Sequence, residues 1–352
     1  MRIRFLPLLV SSLLAAPAFA QEGTATYRLT FQSTWSVQTH PSQFPFNPHY
    51  SPFVGGTHSD SVVFWEPGGL ASSGIEQMAE TGGTSLLVNE VNQQIAAGNA
   101  DQALNFGGAG ALANSPGQLS VTFTVDAAFP QLSLVTMVAP SPDWFVGVHG
   151  LELIQNDAWV DGLTLPAVVY DSGTDSGVSY NSSNQNTSPQ DPIAMVATAA
   201  GPFAFGPTTI GTFTIERLRG TLAYGCQNPA QSLAVSGTPR LGQTLQFAID
   251  DPTGLFPTPA LTGLAMSTSP DAAYPCGTAL PNFGMVAGMP GEVLLGTIDG
   301  LLTGPVFAGS AATIALTLPV QSNLIGQDFY FQGLLAESRI GLTRAQAVRV
   351  GQ

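Results

Sequence analysis

The sequence predicts an all-β chain: an antiparallel β-sandwich with a small helical insertion, followed by a second, smaller β-sandwich domain. Three observations predict it. Only 9% of the 352 residues are charged and no lysine occurs, all nine basic residues being Arg, so exposed helix formers are scarce. Gly (39) and Pro (27) make nearly a fifth of the chain, which favours frequent turns over long helices. Hydrophobic residues reach 44%, enough for a large core and incompatible with wholesale disorder. A length of 352 residues suits one large domain or two ordinary ones of roughly 150 residues each.

Residues 1–20, MRIRFLPLLVSSLLAAPAFA, read as an export signal: Arg2 and Arg4 at the start, an apolar stretch from Phe5 to Ala16, and a small-residue cleavage site at Ala18-Phe19-Ala20. The stretch is shorter than the ~20 residues a membrane span needs, and no later run of that kind is expected. The mature chain is therefore expected to begin near Gln21 and to be secreted, either extracellular or periplasmic. Loss of Arg2 and Arg4 takes the formal charge from -14 to -16, which argues against nucleic acid as a partner.

Thr24 to Ser36 alternates apolar and polar residues with Tyr27, Leu29 and Phe31 on one face, the pattern of a half-buried strand. Residues 37–70 are irregular, with one short strand expected at Ser61 to Trp65. Ser73 and Glu76 have capping-box spacing and open a helical turn to Glu80, and Thr84 to Ala97 places Leu87, Val91 and Ile95 at helical intervals. Strands are expected at Gln118–Val125, Leu132–Val138, Phe145–Leu153 and Thr208–Leu218, with a Ser-, Asn-, Asp- and Gly-rich loop over 171–192. A boundary near residue 220 separates this sandwich (21–220) from a second all-β unit (221–352). That unit is expected to have strands at Thr262–Ser267, Glu292–Thr297, Ala311–Leu318 and Phe329–Leu335. Cys226 and Cys276, the only cysteines, lack metal-site spacing and in an exported chain are expected to pair as a disulfide.

Several motifs in the first unit carry chemistry. Asp143 stands between Pro142 and Trp144 at a loop-to-strand junction, and Asp171 and Asp175 lie in D-S-G-T-D-S-G, where glycines let the backbone turn and expose carbonyls. Two such loops at one end of a sandwich suit a calcium ion, which takes six to eight oxygen ligands. They suit equally a capped turn and a run of Asx turns. The spacing is not that of an EF-hand, since Ser182 stands where the bidentate Glu is required. His40, His49 and His58 recur at intervals of nine but lack a carboxylate or Cys partner at zinc-motif spacing. They leave open the alternative of a secreted hydrolase using the His-rich 37–60 segment. No GxSxG elbow and no phosphate loop is present. Glu76 is accounted for by capping and Glu80 by an ordinary exposed helix face. Trp35, Trp65, Trp144 and Trp159 are read as core residues before they are read as a sugar groove.

The chain resembles the spondin domain family, the module at the N-terminal side of F-spondin and mindin. The resemblance is carried by TFQSTWS (30–36), THP (39–41), HYSP (49–52), GGTH (55–58), the W-x-x-G-G-x-A-S-x-G run from Trp65 to Gly74 and AETG (79–82). It continues through APSPDWFVGV (139–148), NDAWVDG (156–162) and YDSGTDSGVSY (170–180), in order, across roughly residues 24–220. It implies a C2-like β-sandwich holding calcium through Asp143 and Asp171, and a role in adhesion or recognition. A third family ligand, a Glu upstream of SPDW, falls on Thr124; Asp126, two residues along on the same strand face, is the nearest carboxylate. The C-terminal unit resembles a module appended to secreted bacterial proteins and lacks the cysteine-rich repeats of animal members. The expectation is thus a secreted, non-enzymatic calcium-binding protein that recognises an extracellular protein or glycan. Metal ligands are expected among Asp143, Asp171, Asp126 and Asp175. A structural envelope protein is a further alternative.

Overall fold

The computed structural model describes residues 22–196, 201–203 and 208–352; the expected export signal lies outside them. The first part of the chain opens with β1 (Thr24–Ser33), β2 (His49–Tyr50), β3 (Val54–His58), α1 (Ser73–Thr81) and α2 (Ser85–Ala96). It continues through β4 (Ala100–Asn105), β5 (Gly117–Asp126), β6 (Gln131–Ala139), β7 (Trp144–Glu152), β8 (Ile154–Gln155) and β9 (Ala158–Trp159). β10 (Gly162–Asp171), β11 (Ala194–Met195) and β12 (Thr209–Tyr224) complete it.

Alternation places β1: Ala25, Tyr27, Leu29 and Phe31 are all buried, as a period of two requires. β1 pairs antiparallel with β5 on one side and β12 on the other, and β10 extends that layer beyond β12. A second layer orders β4, β3, β6 and β7, again antiparallel. β10 belongs to both layers. Its residues up to Val168 pair with β12, whereas Val169 to Asp171 pair with β7. The change follows a bulge between Pro166 and Val168, where a proline without an N–H is tolerated. The sandwich core fills the space between layers with Tyr27, Phe31, Phe123, Leu134, Val146, Val169 and Phe213, among others.

β6 is buried along almost its whole length because it is covered on both faces. Leu132 and Leu134 point into the sandwich core, while Val135, Met137 and Ala139 pack with Ile75, Met78 and Leu87 of the helices. The helical insertion thus roofs the second layer. α1 starts one residue earlier than its expected capping box: Ser72 is the N-cap and its Oγ accepts the Ile75 N–H. The reciprocal partner is not Glu76 but Glu90 of α2, which accepts from Ser72 Oγ and the Gly74 N–H, both at 2.7 Å. The strand expected at Ser61–Trp65 is absent. Its place in the sheet is taken by β3, whose Gly55 and Gly56 run so close to Ser133 O and to the Val91 side chain that a Cβ would collide. Glycine's low strand propensity hides such a segment.

Beyond β12 the chain forms β13 (Leu233–Ser236), β14 (Thr244–Ile249), β15 (Leu261–Ser267), β16 (Thr278–Leu280) and β17 (Gly291–Val293). β18 (Gly300–Thr303), β19 (Ala312–Thr317), β20 (Asp328–Ala336) and β21 (Ile340–Arg349) follow. β13, β14 and β19 make one sheet, and β18, β15, β20 and β21 another. Phe247, Ile249, Leu264, Phe331, Leu335 and Val348 lie in a core of their own. Cys226 and Cys276 form the expected disulfide. Residue 220, the expected boundary, falls inside β12. The strand pairs with β1 up to Gly220 and from Gly220 to Tyr224 with β21, so the ladder runs unbroken from one core to the other.

Candidate metal centre

The turn Ser141-Pro142-Asp143 joins β6 to β7 and is closed by Ser141 Oγ, which accepts the Trp144 N–H. Asp143 is therefore fixed at the mouth of β7, and its side chain is 0% exposed. Its Oδ2 accepts from Ser172 Oγ (2.9 Å), the Thr174 N–H (2.9 Å) and the Asp175 N–H (3.1 Å). Its Oδ1 is buried with no hydrogen-bond partner. The loop after β10 wraps this carboxylate with three donor residues, Ser172, Thr174 and Asp175.

Asp171 ends β10 opposite Trp144. One oxygen accepts the Gly173 N–H at 2.9 Å and the other the Trp144 indole N–H at 3.2 Å. Gly173 has a φ of +75°, and a Cβ there would lie 2.0 Å from Asp191 O, so only glycine fits this turn. Asp175 sits in the same loop, but its oxygens are already engaged by the Gly177 and Gln185 N–H groups at 2.7 and 2.9 Å.

Burial is the main force on Asp143 and Asp171 and pushes both carboxyl groups upward, Asp171 to about 6. The next cause for Asp171 is the negative charge of Asp143, with whose side chain it is in contact; hydrogen bonds from Gly173 and Trp144 oppose the rise. For Asp143, bonds from Asp175, Thr174 and Ser172 oppose burial, and the charge of Asp175 adds to it. The charged groups acting on this pair are carboxylates, with no guanidinium among them. Two like charges in contact, one buried and one half-buried, favour a proton or a cation. Hard oxygen donors of this kind suit calcium before zinc or copper.

The structure brings Asp143, Asp171 and Asp175 to one loop pair and leaves Asp126 elsewhere. Asp126 ends β5, accepts the Ala128 N–H at 2.8 Å, and exerts its charge on Asp101. Among the described residues, the set of three His, Cys, Asp or Glu ligand atoms within 4.8 Å of one another is Cys226, Cys276 and Glu292. Its cysteines are disulfide-bonded, and Glu292 accepts the Cys226 and Gln227 N–H groups. Glu80 departs from its sequence expectation. It is not an ordinary exposed residue, for its Oε1 is buried without a partner. Its place in the AETG run is the sequence signal that was available.

The histidines take structural roles. His58 is buried on β3, with Nδ1 bonded to Ser59 O and Nε2 to Ser133 Oγ, each at 2.8 Å. His40 bonds to Thr39 Oγ1 and packs against Phe203, and His49 Nδ1 meets Asn47 O. All four tryptophans are buried.

An antiparallel all-β sandwich with a roof of two helices and an acidic loop pair at one end defines the class of this protein. A family model, Spondin_N, matches residues 25–203, and the chain belongs to that family. It is 38% identical to rat (Rattus norvegicus) Spondin-1 over 212 residues, 56% of this chain and 26% of that protein. It is 40% identical to Spondin-1 of Gallus gallus over 179 residues, 49% and 22% of the respective chains. With Spondin-2 of Homo sapiens it shares 35% over 180 residues, 50% and 54%. The match thus spans between about a quarter and about half of these relatives.

Proposed function

We propose that the chain is an exported, non-enzymatic recognition or adhesion protein whose spondin module binds a calcium ion through Asp143 and Asp171. The observation that carries this reading is Asp143: a fully buried carboxylate with one oxygen lacking any donor, in contact with a second, half-buried carboxyl group. A divalent cation would cancel that repulsion and fix the Ser141–Trp144 turn against loop 171–177. Asp175 contributes by shaping the loop. Neighbouring surface loops then present a rigid face to an extracellular protein or glycan. Support for the recognition role comes from the family and from its resemblance to adhesion modules. The reading as exported rests on the features of residues 1–20, and among the described residues no helix is long and apolar enough to cross a membrane. A bacterial source, and a separate second domain after residue 220, are parts of the same proposal. They rest on the C-terminal unit's resemblance and on its own hydrophobic core.

The test is calcium titration of the exported chain by calorimetry. Wild type is expected to bind one ion, and Asp143→Asn to lose that binding while keeping its fold by circular dichroism. Equal binding by both proteins would overturn the assignment.

A further inference from the structure

We infer that a cavity where the two parts of the chain meet binds one neutral sugar ring, the terminal unit of a glycan. The inference stands apart from the calcium reading, because it needs neither the ion nor the loops around Asp143.

The cavity has a volume of about 130 Å³, and its lining includes Trp159, Arg217, Pro270, Tyr274, Asp328 and Tyr330. Its walls thus come from both sides of residue 220. A cavity of roughly 150 Å³ holds a benzene-sized molecule, so there is room here for a single six-membered ring. Three tyrosines meet beside it. The Tyr224 ring lies 5.0 Å from that of Tyr274 and 6.1 Å from that of Tyr330. The Tyr224 hydroxyl donates to Leu294 O at 2.9 Å and the Tyr274 hydroxyl to Asp157 O at 2.6 Å. The Tyr330 hydroxyl takes part in no hydrogen bond among the described residues. A tyrosine packed into a cluster ordinarily gives its O–H a partner. The third hydroxyl of this cluster is the one left open, and it belongs to a residue of the cavity wall.

The charges select a neutral ligand. Arg217 and Arg349 each pair with both Asp161 and Asp328, so two guanidinium groups are matched by two carboxylates. A charged ligand would upset that balance in a partly desolvated site. The remaining polar capacity selects hydroxyl groups. Asp328 accepts from Arg217 at 3.2 Å and from Arg349 at 3.0 Å, and a carboxylate with about four lone-pair sites can still take a ligand O–H. Tyr330 stands two residues along β20, on the same strand face. An acceptor and a free phenol, which both donates and accepts, therefore stand side by side, as the neighbouring hydroxyls of a sugar require. The Trp159 N–H is engaged by Thr221 O at 2.9 Å and the Tyr274 hydroxyl by Asp157 O. Those two rings, with Pro270, are left as apolar surface for the C–H face of a pyranose. A few convergent polar groups in an otherwise apolar wall are the ordinary make-up of a small-ligand site.

The experiment uses the exported full-length chain in chelator. The probes are the methyl glycosides of glucose, galactose, mannose and N-acetylglucosamine, followed by saturation-transfer NMR. At least one is expected to bind with a Kd of about 1 mM, the strength a single ring of this size provides. The methyl glycoside of glucuronic acid, the same ring carrying a charge, is expected to bind more weakly than that of glucose. Tyr330→Phe keeps the ring and removes the open hydroxyl, and should weaken binding roughly three- to tenfold. Ala347→Leu fills the cavity from another part of its lining and should abolish binding; melting temperatures check that both variants fold. Asp143→Asn should bind sugar as wild type does, which keeps a failure of the calcium reading distinct from a failure of this one. Saturation transfer to none of the neutral glycosides, transfer to phenol alone, or wild-type affinity in both Tyr330→Phe and Ala347→Leu would overturn the inference.

Discussion

Asp143 accepts hydrogen bonds from three residues on one oxygen and none on the other, and its charge beside Asp171 gives the pair a pH signature. Burial and the charge of Asp143 hold the Asp171 carboxyl up at about 6, whereas an unfolded Asp titrates near 3.9. Without calcium, between about 4 and about 6, the native chain keeps a proton that the unfolded chain has lost. The metal-free fold therefore loses stability as pH rises through that window. His58 contributes the opposite slope, because burial lowers its pKa and acid favours the unfolded, protonated form. The carboxyl contribution is thus read as the difference between wild type and Asp171→Asn. In chelator, wild type should lose melting temperature relative to Asp171→Asn from pH 4 to 6. Calcium affinity should rise over the same range as the ion displaces the proton. A difference that is flat with pH would contradict the account. At this scale the sequence was partly legible. Asp143 and Asp171 sit in motifs whose glycines and prolines announce their geometry. Asp126 shares a strand face with the position expected to hold a ligand, yet among the described residues β5 pairs with β1 alone.

Among the elements, the helical pair depends on a cap that crosses from one helix to the other. Ser72 caps α1 locally, and Glu90 of α2 engages both the Ser72 hydroxyl and the Gly74 N–H. Ser72→Ala removes an N-cap and should cost about 1 kcal/mol. Glu90→Gln should cost a similar amount by weakening a charge-assisted pair of bonds. The two changes share partners, so the double variant should cost less than the sum. Denaturant midpoints of the three variants measure this, and strict additivity would show that the cap is not shared. The capping-box spacing of Ser73 and Glu76 predicted the helix to within a residue but misassigned its partner, since i,i+3 spacing carries no information about a neighbouring helix. Several strands escaped sequence reasoning, among them β4 and β21, and two did so for chemical reasons. β3 contains Gly55 and Gly56, needed for close approach, and β10 contains Pro166, absorbed at a bulge. Strands with clean alternation, such as β1, β5 and β20, were legible nearly to their ends.

Over the whole molecule, β12 links the two parts of the chain, pairing with β1 and β10 and, from Gly220 to Tyr224, with β21. Around it Arg217 and Arg349 are each paired with both Asp161 and Asp328, at 2.5 to 3.2 Å. Both guanidinium groups are largely buried, so this network is held more firmly than isolated surface pairs. Tyr274 adds a bond from its hydroxyl to Asp157 O at 2.6 Å. Composition had announced an all-β chain with a change of style near residue 220. It could not announce that one strand would carry the ladder across that point, because nothing in local alternation distinguishes a 16-residue strand serving two sheets from one serving a single sheet.

The central claim is that a calcium ion occupies the Asp143–Asp171 site, and thermal unfolding of the exported chain in chelator and in millimolar calcium tests it most directly. Calcium at about 100 times its dissociation constant adds roughly 2.7 kcal/mol. With a shift of about 2–4 °C per kcal/mol for a unit of this size, the midpoint should rise by roughly 5–10 °C. The account predicts that rise in wild type and its absence in Asp171→Asn. Superimposable unfolding curves for wild type in chelator and in calcium would contradict it.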